Sequence, residues 1–141
     1  MDPELFTIRF QLSTLVVASA ALLSVCRAFS VQTSGDANAL AGAIFGQGIT
    51  VLQASYSGAS VASGLFTDGP FGIGNAAILT SGSADGALPG GDHFVNNGAP
   101  GSDQYCNTGT YNATILTADV IVNAGFTGVT FEIILASEER G

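Results

Sequence analysis

Residues 113–135 alternate their side chains between two faces around a single turn, and that pattern points to antiparallel β-structure in this part of the chain. From Ala113 to Val122, Leu116, Ala118, Val120 and Val122 share one face, while Ile115, Thr117, Asp119 and Ile121 share the other. Asn123-Ala-Gly-Phe-Thr-Gly128 supplies turn residues, and Val129, Phe131, Ile133 and Leu135 then share one face of a second strand. A helix repeats its faces every 3.6 residues and cannot carry a period of two. The expectation is an antiparallel hairpin.

Upstream, Ala37, Leu40, Ala41, Ile44 and Phe45 recur at helical spacing, with Asp36 as N-cap and Gly46 just past the end. A short amphipathic helix packed on a sheet follows. Gly48–Tyr56, Ser60–Thr67 and Ala76–Ser81 read as short strands, separated by Ser57-Gly58 and Asp68-Gly69-Pro70 turns. Residues 82–110 hold seven glycines and two prolines, a long loop of the kind that carries function or disorder. No internal repeat is visible.

Composition agrees with a folded, single-domain chain. Of 141 residues, 47% are hydrophobic and 10% charged, which supplies core material in excess of what disordered chains carry. Lys is absent, Arg occurs three times, and the net charge is −8, which removes the basic footprint of a nucleic-acid binder.

The N-terminus assigns a compartment. Leu12–Val25 (LSTLVVASAALLSV) is an apolar run of 14 residues, too short for a comfortable membrane span and within the length of a signal-peptide core. Cys26 and Ala28 place small residues at −3 and −1 of a cut before Phe29, so residues 1–28 are read as a signal peptide. Asp2 and Glu4 make its first region atypical. Cleavage leaves 113 residues, still at −8, with one cysteine, Cys106. A lone cysteine in an exported chain implies a missing partner, an intermolecular bridge or a free thiol. With the open strand before Ser137-Glu-Glu-Arg-Gly141, it gives the expectation that the domain continues past residue 141.

Several segments carry a family resemblance. They are Asp36-Ala-Asn-Ala-Leu40, Gly48-Ile-Thr-Val51, Gly64-Leu-Phe66, Gly74-Asn-Ala-Ala-Ile-Leu-Thr-Ser-Gly82, Asn112-Ala-Thr-Ile-Leu116 and Val129-Thr-Phe-Glu-Ile-Ile-Leu-Ala-Ser-Glu-Glu139. In this order they resemble the choice-of-anchor L domain, a β-rich module of exported and surface-attached proteins, over residues 36–139. The chain departs from that pattern at Gly101-Ser-Asp103, at Asn112 and at Arg140. The resemblance implies location and fold, and no particular chemistry.

Catalytic patterns are thin. The nearest approach to a nucleophile elbow, Gly58-Ala-Ser60-Val-Ala62, lacks the last glycine and a following helix. His93, the only histidine, stands in the glycine-rich loop as a solvated residue. Gly72-Ile-Gly74-Asn-Ala-Ala77 imitates a dinucleotide fingerprint, but a strand rather than a helix is expected after it. Asp119 and Glu132 are expected on adjacent strands, yet no Trp exists to stack a sugar. Glu138 and Glu139 are neighbours that point to opposite faces of an extended chain. Calcium is the one cofactor the residues suggest: Asp85, Asp92 and Asp103 lie in a flexible, glycine-rich loop, and Glu138 or Glu139 would join them from the strand end, Glu138 being taken as the fourth ligand. Asn112-Ala-Thr114 is a glycosylation sequon, meaningful in a eukaryotic host.

The expected fold is mainly β, an antiparallel β-sandwich-like domain at 29–141 with one short N-terminal amphipathic helix. The expected protein is a non-catalytic, calcium-stabilised module, secreted or attached to the cell surface or wall. It would act in adhesion or surface display, with cell-wall or extracellular surface components as partners. Neither nucleic acid nor a membrane span after cleavage is expected. The alternatives are a fragment of a secreted hydrolase or carbohydrate-binding module, or a small secreted effector.

Overall fold

The structure, a computed structural model, describes residues 28–91 and 95–136. The segment read as a signal peptide lies almost wholly outside them. The described chain contains five strands in two antiparallel sheets and one α-helix. β1 (Ser30–Thr33), β3 (Ser63–Gly69) and β4 (Gly74–Leu79) form a three-stranded sheet in the order β1-β3-β4. β2 (Ile49–Ser57) and β5 (Ile115–Val122) form the second sheet.

The helix, α1 (Ala37–Ile44), starts where its cap dictates. The Asp36 carboxylate accepts from the Asn38 and Ala39 amides at 2.9 and 3.2 Å, satisfying two donors that a first turn leaves free. It ends on Phe45 in an extended conformation rather than on a left-handed Gly46. Leu40 and Ala41 are fully buried, while Asn38 and Gly42 on the opposite side are exposed. α1 touches β2 and β5 in one sheet and β3 and β4 in the other, so its apolar face is shared between both. Burying a leucine there contributes about 1.5–3 kcal/mol.

The rest of the described core consists of small residues. Ala62, Ala84 and Ser63 are fully buried and Ala99 nearly so, which lets backbones approach closely. Ser63 and Ser34 are tied in both directions: the Ser34 amide donates to the Ser63 carbonyl at 2.9 Å, and the buried Ser63 hydroxyl donates to the Ser34 carbonyl at 2.7 Å. A Cβ on Gly64 would stand 2.6 Å from the Gln32 carbonyl oxygen, so glycine is what lets β1 and β3 meet.

In the second sheet, Tyr56 lies opposite Leu116, Ala54 opposite Ala118, Val51 opposite Val120 and Ile49 opposite Val122. A bulge between Val51 and Gln53 places the extra residue, Leu52, outward at 61% exposure. That one-residue slip keeps the inward set on one face across nine residues whose sequence period breaks in the middle.

Two sequence expectations change. β1 was not anticipated, and the C-terminal hairpin is not formed. β5 pairs with the distant β2, and Val129–Ala136 belongs to no strand. The physical reason lies at the turn. The Phe126 amide closes it on the Asn123 carbonyl at 3.2 Å, and the Phe126 ring packs on Gly48, where a Cβ would stand 2.7 Å from the ring. The Phe131 ring then meets Phe45 edge-on at 5.9 Å. These two aromatic contacts lead the segment along the α1–β2 connection instead of back along β5.

Candidate functional site

The long connection between β4 and β5 is folded on itself. The Thr114 hydroxyl donates to the Thr80 carbonyl at 2.7 Å, joining its two ends. The Asn97 side-chain amide bridges the Ser81 and Gly82 carbonyls at 3.0 and 3.1 Å. Pro100 and Tyr111 form an isolated antiparallel bridge, with the Asn112 amide on the Ala99 carbonyl at 2.8 Å. Short, mutually bonded segments of this kind make a compact surface loop rather than a slack one.

Asp85 and Asp103 are both exposed on that loop. Asp85 lies in a 3-10 turn (Ala84–Ala87), where its carboxylate accepts from the Ser83 hydroxyl. Asp103 sits in the turn closed by the Cys106 amide on the Ser102 carbonyl at 2.9 Å. Asp92 and Glu138, the other two expected calcium ligands, lie outside the described residues, as do His93 and Glu139. Among the described residues no three His, Cys, Asp or Glu side chains converge in a way that could hold a metal ion.

Asp119 and Glu132 are not brought onto adjacent strands. Asp119 lies opposite Gln53, and Glu132 stands in the unpaired C-terminal segment. Gly72 and Gly74 flank a turn that leads straight into β4, so no helix N-terminus follows to receive a phosphate. Cys106 is a free, exposed thiol.

Four features escape the sequence reading. The Thr110 hydroxyl and the Asn112 side-chain oxygen are buried without a hydrogen-bond partner, and Asn112 holds a left-handed φ of +57°. Asn tolerates that conformation better than most residues, which is the one signal a sequence offers. At the β3–β4 turn, Phe71 also has φ +57°, a strained conformation for an aromatic residue, and its ring is 91% exposed. Beside it, Phe71–Ile73 and Glu132–Ile134 border a shallow open depression. A smaller cleft of about 180 Å³ lies between the α1–β2 connection and Phe126–Phe131. It is below the usual size of a small-molecule site.

Among the described residues no helix is long and apolar enough to cross a membrane. Comparison with protein-family models, with curated proteins and with solved structures finds no match to this chain.

Proposed function

We propose that the chain is an exported, non-catalytic β-domain that serves in surface display or adhesion. The observation that carries this reading is the junction at Ala28–Phe29. The apolar run ends at Val25, three residues before the junction, and β1 begins at Ser30, one residue after Phe29. Phe29 packs its ring edge-on against Phe66 of β3 at 5.8 Å, so a cut before Phe29 would leave the first sheet whole. A leader and a domain that meet at a peptidase-compatible site are what an exported chain requires.

In this reading the domain is a sandwich-like arrangement of the two sheets with α1 between them, akin to the choice-of-anchor L module that its motifs resemble. The compact β4–β5 loop leaves Asp85 and Asp103 exposed, and in this reading these two take calcium together with Asp92 and Glu138, carboxylate oxygens being the ligands that hard cations favour. In a eukaryotic host, Asn112 receives its glycan before the loop closes, because closure buries its side-chain oxygen and engages the Thr114 hydroxyl. The partners are components of the cell wall or of another extracellular surface.

Expression in a secreting host, followed by intact-mass measurement of the medium and the cell-surface fraction, tests the reading. A mature species beginning at Phe29 and recovered outside the cell supports it. Retention of residues 1–28 on an intracellular product overturns it.

A further inference from the structure

The unpaired segment Val129–Leu135 and the open edge of β5 are complementary, yet each lacks the other within one chain. Among the described residues β5 pairs only with β2, so its second edge is free. Residues 127–136 make no backbone hydrogen bond to another described residue. Ile133 and Leu135 are 71% and 92% exposed, and Phe131, Ile134 and Val129 are exposed as well. On β5, Val120, Ile121 and Val122 are exposed in the same way. An apolar strand edge and an apolar strand-like segment left open in one molecule are the two halves of a strand-addition interface.

Closure within one chain meets two obstacles. The Phe126–Gly48 and Phe131–Phe45 contacts hold the segment away from β5. A hairpin through the existing turn, pairing Val122 with Val129, would also set Asp119 directly opposite Glu132. Like charges at facing positions destabilise a sheet. A second molecule is free of that register. A shift of two positions sets Val122 against Phe131, Val120 against Ile133 and Ala118 against Leu135, keeping one apolar face and separating the two carboxylates.

We propose that Val129–Leu135 of one molecule adds as an antiparallel strand to the free edge of β5 in a second copy, and reciprocally, giving a two-fold symmetric strand-exchanged dimer. The exposed apolar residues of the segment and of β5 offer roughly 800 Å² per copy, taking 150–250 Å² as the area of a large side chain, and a standard interface uses about that much from each partner. The Asn123–Gly128 turn acts as the hinge of the exchange.

The test is the mass of the isolated chain by light scattering at high micromolar concentration, under reducing conditions so that Cys106 contributes nothing. A mass twice that of the single chain is expected. Ile133→Pro should return it to the single-chain mass, since proline cannot donate to the ladder and Ile133 belongs to no element of the monomer. A crosslinking arm keeps the geometry falsifiable: in a Cys26→Ser, Cys106→Ser background, chains carrying Val120→Cys and Ile133→Cys are mixed and mildly oxidised. A disulfide joining the two different chains is expected, and neither variant should crosslink well alone. A monomeric mass overturns the proposal, whether hydrogen exchange finds residues 129–135 open or protected by their own chain. A dimer that Ile133→Pro leaves intact, or one without the mixed disulfide, overturns it equally.

Discussion

The Thr114 hydroxyl donates to the Thr80 carbonyl at 2.7 Å, which closes a loop whose ends lie 34 positions apart in the chain. The bond is part-buried, so removing its donor leaves a carbonyl with reduced access to water. Thr114→Val is expected to lower stability by about 1–3 kcal/mol. Thr114→Ser keeps the hydroxyl and should stay near the parent. Urea denaturation of both variants checks this, and equal midpoints for the two would refute the role given to the bond.

Leu40 is the largest fully buried side chain of the described core, and it is the point where α1 meets both sheets. Leu40→Ala should therefore cost about 2–5 kcal/mol. Asp36→Ala, which removes only the cap of the same helix, should cost about 1 kcal/mol. Thermal unfolding of the pair gives the order. A capping loss larger than the core loss would contradict the placement of Leu40.

Gly64 lets β1 approach β3, with the Gln32 carbonyl 2.6 Å from where a Cβ would stand. Gly64→Ala forces backbone apart at a paired position and is expected to destabilise by about 1–3 kcal/mol. Faster amide exchange should appear in Val31–Thr33 before it appears in β2 or β5. Unchanged protection of β1 would show that the approach is looser than drawn.

Calcium is expected to raise the unfolding midpoint of the chain by mass action. At a hundred times the dissociation constant the stabilisation is about 2.7 kcal/mol. Asp103→Asn and Asp85→Asn should each weaken it. Isothermal calorimetry that detects no heat at millimolar calcium would remove the cation from the proposed function.

The helix and most strands were legible because their signals are local. Asp36 caps two amides, the 3.6-residue stripe from Ala37 to Phe45 is buried or half-buried, and β2 and β5 carry strand-forming residues. β1 was illegible because Ser30–Thr33 is four residues long and three of them are polar; it is a strand only because β3 offers it an edge. The partner of β5 was illegible for a different reason. Val129–Leu135 has the period of a strand, but period does not name a neighbour, and two phenylalanine contacts outside the pattern decide the path. Of the proposed calcium ligands, only Asp85 and Asp103 fall within the described residues, both exposed on the loop that their glycine-rich surroundings had marked.

The pairing of β2 with β5 also sets a timetable. Its nearest partners, Ser57 and Ile115, are 58 positions apart, and its farthest, Ile49 and Val122, are 73 apart. A loop about ten times longer than a tight hairpin connection adds about 2 kcal/mol to the entropy of closure. The second sheet therefore waits for a late stretch of the chain to be made and to diffuse back, and topologies of this kind condense slowly. Until then β2 has no sheet partner among the described residues.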